Sequence, residues 1–371
     1  MLMQISGGIT APRGFRAGGY GAYALVTCGL PAVCSGVFGK NRIVSAPEKW
    51  SSFLTEQYDT AQAVFLCGNN AGTCVGDEGY ALAVQMAETV AGVVGISSEK
   101  VLLAANGEAG VLFSAEESEV AAKTLVPALS GGEAGSTAAL EALAAGGQGA
   151  EIAVEFDVGD KKVRLGGICR LGKPLILLTT DLSISKEMLD RALRADAEET
   201  FFMAMPDGAR AGDCILCLAS GVAGNKRITE ENGAYSAFCA ALRHITGFLA
   251  KRAATGGRLL EVTVQNAADK QAAGTLARAG AASVPVRMAA GENRADWSGL
   301  LNAFGRADVS FDPELIDVSL RSSTGSAQLV RNGRAVFPDG IEAVFEATAV
   351  TLVADIKNGN ASATAWSNFI E

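Results

Sequence analysis

The chain predicts an α/β fold of the α+β kind, and three observations carry that expectation. Helix-period and strand-like segments intermingle along all 371 residues instead of falling into separate blocks. Apolar residues make up 49%, aromatic residues only 6%, and 44 residues are glycine, a small-residue composition suited to close packing of sheets and helices. With a mean hydropathy of +0.24 the chain has ample apolar surface for a core, which excludes disorder as its main state.

Taken in order, YALVTC (23–28) reads as a strand. SSFLTEQYDTAQAVF (51–65) reads as a helix opened by serines, with apolar residues three and four apart. EGYALAVQMAETVAGVVG (78–95) is a stronger helix. Ser130 to Gly149 is glycine-rich and nearly uncharged, and reads as loop, short helix, loop, with Gly146, Gly147 and Gly149 at its exit. Three strands follow in AEIAVEFDV (150–158), KKVRLGGI (161–168) and PLILLTTD (174–181), then a helix in SKEMLDRALRADAEETF (185–201) and a strand in CILCLA (214–219). AYSAFCAALRHITGFLAKRAA (234–254) is the longest helix, and its basic end suits the helix dipole. AATGG (253–257) ends it and opens the last third, where LLEVTVQ (259–265), VRMAA (286–290), DVSL (317–320) and VFEATAVTLVADI (344–356) read as strands. No unit of 20–50 residues repeats, so a solenoid is not indicated.

Charge and cysteine usage narrow the function classes. The 31 basic and 40 acidic residues leave a net charge of −9, which argues against nucleic acid or an anionic membrane as partner. A single histidine, His244, excludes any mechanism needing two imidazoles or a histidine-rich zinc site. The N-terminus shows no signal-peptide pattern and no apolar run is long enough to span a membrane, so a cytoplasmic location is expected. The eight cysteines are then reduced thiols, mostly small buried hydrophobes. Cys214 and Cys217 have C-x-x-C spacing, but on a strand residues three apart face opposite sides, which disfavours a zinc or redox pair. No glycine cluster fits a P-loop, and GGYGAYA lacks the spacing of a dinucleotide fingerprint, so no phosphate-cradled cofactor and no metal are expected.

Ordered blocks from Gly8 to Trp366 carry a family resemblance. They are GITAPRGFRAGG (8–19), SGVFGKNRIVSAP (35–47), GNNAGTCVGDEG (68–79), EKVLLAANGEAG (99–110), KVRLGGICR (162–170) and LTTDLSIS (178–185). They continue in CLASGVAGN (217–225), LEVTV (260–264), GENRADW (291–297), FDPELIDVSL (311–320) and GNASATAW (359–366). In order, spacing and coverage the chain resembles the ornithine acetyltransferases, also called glutamate N-acetyltransferases of arginine biosynthesis. The resemblance implies two stacked β-sheets flanked by helices over residues 1–250, and a smaller C-terminal α/β domain over 251–371. It implies multimeric association and no cofactor. It also implies a mechanism in which the chain cuts itself at an Ala–Thr bond. The freed threonine then takes acetyl from N-acetylornithine and passes it to glutamate, its own amine serving as base.

Position by position, this chain departs from that chemistry. The stretch GGICRLGKPLILLTTD (166–181) is several residues shorter than the family pattern, and Lys173, followed by Pro174, stands at the nucleophile's place. A lysine cannot attack its own preceding carbonyl as that hydroxyl does, so self-cleavage should fail. Cys169 is the one local substitute: either a relocated acyl acceptor activated by Arg170 or Lys173, or a buried strand cysteine. Arg170 matches a lysine that the family uses near its substrate. The family's Thr-Gly oxyanion pair corresponds here to Asn106-Gly107, whose amide and N–H can still donate, or which form an ordinary turn after a strand.

Elsewhere the substrate contacts thin out. AAGGQGA (144–150) has no hydroxyl or carboxylate where the family has a threonine-rich turn with an aspartate. PDGARAGDC (206–214) keeps Asp207, Gly208 and Asp213 but not the hydroxyls. Ala254 stands at the position of a family glutamate, Arg258 replaces a lysine, and the family's C-terminal clamp has no counterpart after WSNFIE. Glu292, Arg294 and Asp296 around Trp297 form a further candidate lining or a surface loop. Two function classes follow. One is a non-cleaving protein that binds a small amino-acid-like ligand, or assembles as a homo-oligomer or with an active relative. The other is an acetyltransferase or amidohydrolase of the same family using another nucleophile.

Overall fold

The computed structural model describes residues 2–370, and the chain divides into two compact units. The first comprises Met1–Phe201 and Ala209–Ala253; the second comprises Phe202–Gly208 and Ala254–Glu371. The division thus falls at 253/254 rather than 250/251, and it assigns 202–208, within the expected first domain, to the second unit. The reason is packing: Met203 is buried in the second unit's core with Leu260, Val262 and Leu276.

The first unit runs in order through β1 (Met3–Ile5), β2 (Phe15–Tyr20), β3 (Tyr23–Phe38), α1 (Ala46–Gln57), β4 (Thr60–Cys67), α2 (Gly76–Val94) and β5 (Val101–Ala105). It continues with α3 (Ala115–Ala128), α4 (Gly132–Ala144), β6 (Gly149–Val158), β7 (Lys161–Arg170), β8 (Lys173–Thr180), α5 (Lys186–Glu199), β9 (Cys214–Ala219) and α6 (Gly233–Ala253). The strands form one continuous hydrogen-bonded path, β1-β6-β7-β8-β9-β3-β4-β5, with β2 also on β3. The 16-residue β3 makes this possible. Its first half pairs with β2 and β4 and its second half with β9, so it passes from one sheet into the other.

Alternation then stacks the two halves. Val64, Leu66, Leu102 and Ala104 from β4 and β5 share one core with Leu175, Leu177, Cys214, Leu216 and Leu218 from β8 and β9. The intervening residues of the first half, Phe65, Cys67, Leu103 and Ala105, face outward onto α2 and α3. On the far side α6 covers β6 and β7, and α5 covers β3. The expected stacked sheets flanked by helices are present.

The second unit holds β10 (Leu259–Ala267), α7 (Lys270–Ala282), α8 (Val284–Gly291), α9 (Trp297–Arg306), β11 (Asp317–Ser322), β12 (Ser326–Arg331), β13 (Arg334–Ala335), β14 (Ala349–Asp355) and β15 (Ala361–Asn368). Its six strands form a sheet in the order β13-β12-β11-β14-β10-β15, with α7 packed on β10 and β15.

Two local expectations are corrected. The helix expected over 51–65 is α1, which starts earlier because Ser45 and Glu48 form a reciprocal capping box with Pro47 in the first turn. It stops at Gln57, and Thr60–Cys67 is strand β4, whose apolar residues are buried on both faces. VRMAA is not a strand but the middle of α8: its buried residues Val286, Ala289 and Ala290 have the three-and-four spacing of a helix, and Pro285 sits in its first turn. Among the described residues no helix is long and apolar enough to cross a membrane, and no group of three or more His, Cys, Asp or Glu side chains could hold a metal.

Candidate functional site

The end of β5 is tied to the loop after β4 by backbone alone. Asn106 N–H donates to Cys67 O at 2.9 Å, Glu108 N–H to Asn69 O at 3.0 Å, Ala71 N–H to Glu108 O at 2.9 Å and Gly110 N–H to Thr73 O at 2.8 Å. Asn70 braces its own loop, accepting from Gly72 N–H at 2.8 Å and donating to Leu112 O at 3.1 Å. At Gly107 a Cβ would lie 2.1 Å from the carbonyl carbon of Asn69, so no other residue fits. Asn106 is only 4% exposed, yet its Nδ2 has no hydrogen-bond partner. A buried amide donor left unpaired costs about 1–3 kcal/mol, so it is an open position for an acceptor. Following Ala104, it continues the face of β5 that looks between the sheets.

The hairpin β7–β8 closes against this corner. Arg170 pairs with Lys173 across the two-residue turn Leu171–Gly172, Gly172 having a φ of +69°. Ile168 on β7 faces the core between the sheets and Arg170 shares its face. The Arg170 guanidinium crosses that space to donate to Gly68 O at the end of β4. The Lys173 ammonium, half-buried beside it, forms no hydrogen bond or ion pair among the described residues. Its ammonium is pushed below the usual lysine range by burial and by the charges of Arg170 and Arg210, with Asp213 acting the other way.

The third wall is the segment before β9. Gly212, with a φ of +87°, packs so tightly that a Cβ would lie 2.4 Å from Ala105 O. Its N–H donates at 2.9 Å to the buried Glu48 carboxylate. Asp213 accepts from Arg210 N–H at 2.7 Å. Burial raises the Asp213 carboxyl to about 7, with the Arg210 N–H and charge opposing and Glu48 adding to the rise. Burial likewise raises Glu48, against the bonds from Gly212 and Ser45 N–H.

The structure therefore brings Asn106, Gly107, Arg170 and Lys173 to one end of the stacked sheets and adds Glu48, Arg210 and Asp213. Glu48 and Arg210 escaped the sequence reading, although the Ser45-x-x-Glu48 capping spacing was a visible signal for the first. Cys169 is excluded as a substitute nucleophile: it is fully buried, its thiol donates to Leu249 O on α6 at 3.4 Å, and burial pushes it to about 12. Strand alternation turns it away from Arg170 and Lys173. Cys214 and Cys217 are both buried free thiols, Cys214 in the core between the sheets.

Ala254 and Arg258 belong to the second unit. Arg258 donates to Asn293 Oδ1 at 3.0 Å and to Phe345 O, and stacks on the Phe369 ring at 4.3 Å. Those contacts hold that unit together. Near Trp297, Asp296 caps α9 through Gly299 N–H at 2.8 Å and Arg294 pairs with Glu292, a surface role for both. Asp207 pairs with Arg287 at 2.9 Å within the same unit.

Stacked sheets between helix layers, with an unpaired amide and a cluster of cations where their strands end, define an α/β/β/α sandwich protein with a polar site at the end of its sheets. The chain belongs to the ArgJ family, whose profile matches residues 10–369. It is 31% identical to the arginine biosynthesis bifunctional protein ArgJ of Symbiobacterium thermophilum, over 98% of this chain and 95% of that one. It is 32% identical to the protein of the same name from Gloeobacter violaceus, over 85% of this chain and 83% of that one. Among solved structures, it is similar to the Bacillus halodurans arginine biosynthesis bifunctional protein, at 26% identity and a TM-score of 0.48, covering 53% of this chain and 93% of that one.

Proposed function

We propose that this chain is a member of the arginine biosynthesis ArgJ family that does not cleave itself and that binds a small amino-acid-like ligand between the ends of its sheets. One observation carries the reading. The turn Leu171–Gly172 closes β7–β8 with Lys173 directly opposite Arg170, which leaves neither a loop to cut nor a hydroxyl at the nucleophile's place. The nearest threonines are committed: Thr179 Oγ1 donates to Ile9 O at 2.6 Å and Thr180 Oγ1 to Arg164 O at 2.7 Å. Such a protein could act alone as a homo-oligomer or assemble with a catalytically active relative in the same cell compartment.

A second reading, acyl transfer through another nucleophile, is favoured by the unpaired Asn106 amide, a donor of the kind that stabilises an oxyanion. Denaturing intact-mass spectrometry, before and after incubation with N-acetylornithine, separates the two. The expected result is one species at 38.0 kDa with no adduct. Two fragments would overturn the proposal, and an acetyl adduct on Lys173 would establish the second reading.

A further inference from the structure

We infer that Arg170, Lys173 and Arg210 form a binding site for a compact dianion, the phosphoryl group of a small amino-acid-like phosphomonoester. The inference rests on the closed hairpin of the preceding reading, because only that closure sets Lys173 opposite Arg170.

Three cations from two segments converge here. Arg170 and Lys173 are cross-strand neighbours, an arrangement in which like charges repel. Arg210 reaches the same corner from the segment before β9: its N–H donates to Asp213 at 2.7 Å, and the next residue, Cys214, pairs with Leu175, two residues after Lys173. One Arg170 nitrogen is engaged by Gly68 O, whereas the Lys173 ammonium and the Arg210 guanidinium carry no hydrogen bond among the described residues. The carboxylate facing them is Asp213, which burial and Glu48 keep partly protonated near neutral pH. The corner thus gathers three positive charges, Arg170 and Lys173 half-buried and Arg210 exposed, in a chain whose net charge is −9. Charge left unpaired away from water is costly unless a counter-ion supplies it.

The chemistry of that counter-ion follows from the arrangement. The cations are mutually close, so one group carrying two charges neutralises them together, whereas a carboxylate carries one. A phosphoryl group also offers three acceptor oxygens, enough for the Lys173 ammonium, a guanidinium fork and the unpaired Asn106 amide. The amino-acid-like body is that of the ligand proposed above, on which this part of the inference rests.

Isothermal titration of the full-length protein at pH 7 and low salt tests this with four probes: inorganic phosphate, O-phosphoserine, serine and glutarate. Saturable binding of phosphate or O-phosphoserine is expected, with serine and glutarate at least tenfold weaker. O-phosphoserine tighter than phosphate identifies a phosphorylated small molecule as the ligand; equal affinity identifies free phosphate. Lys173→Gln and Arg210→Gln should each weaken binding about tenfold, the equivalent of about 1.4 kcal/mol. Arg210 is exposed, so its variant keeps the test open if Lys173→Gln does not fold. Absence of phosphate and O-phosphoserine binding, glutarate binding as tight, or indifference to both substitutions overturns the site. An uncleaved chain that fails to bind leaves the preceding reading standing, whereas a cleaved chain removes both.

Discussion

The Asn106–Gly107 corner and the Arg170–Lys173 hairpin lie at the same end of the stacked sheets, yet different forces hold them. The first is held by backbone: four interstrand-type hydrogen bonds and a glycine that admits no Cβ. The second is held by its short turn, and its two side chains are charged and half-buried, Arg170 bonded to Gly68 O and Lys173 unpartnered. Backbone geometry tolerates little change of residue, while a hairpin end accepts any side chain that its turn can present. On the proposed reading, that difference lets the polar corner persist while the hairpin end carries a lysine.

The comparison is sharpened most by titrating Asp213, on the hairpin's side. Its folded carboxyl lies near 7 against an ordinary value of 3.8. The folded state therefore holds the proton more tightly, so stability falls as pH rises from near 4 to about 7 and is level above. A shift of about three units is worth about 4 kcal/mol. Urea unfolding of wild type and Asp213→Asn across pH 4–8 should show that slope in wild type and a smaller one in the variant, which keeps the raised Glu48 carboxyl.

On the other side, Gly107→Ala forces a methyl into Asn69 and should cost about 3 kcal/mol in the same unfolding assay. A loss below 0.5 kcal/mol, a floor expected of neutral surface changes, would show that the corner yields and break the contrast. Arg170→Ala, which strips the charged donor from Gly68 O, should cost about 2 kcal/mol. The smallest effect is none at all: iodoacetamide applied to the native protein should label the exposed Cys74 and leave Cys169 untouched. Labelling of Cys169 before unfolding would mean that the hairpin opens.

Much of the fold was legible because side-chain period follows backbone geometry. β6, β7, β8 and β9 match their expected runs to within a few residues, since each buries an apolar face against a neighbour. The failures have local causes. The 51–65 run hid a helix-to-strand change without glycine or proline at the switch, and β3 exceeded its expected length because two different partners share it. At the candidate site, Asn106, Gly107 and Arg170 lie in the ordered sequence blocks, and Lys173 was placed by counting back from Thr179. Glu48 and Arg210 were not, since Glu48 meets Gly212 across 164 residues of chain.

The amino-acid sequence by itself determined the family and placed Lys173 directly before Pro174 in a short connection, because these are matters of residue identity and count. Only the tertiary structure decided where those side chains point and what they touch. Alternation on β7 sends Cys169 into α6 and Arg170 between the sheets, a one-residue difference in register that inverts their roles. Burial, which depends on every element packed around a group, then left the Asn106 amide unpaired and raised Asp213, and strand pairing set Lys173 opposite Arg170.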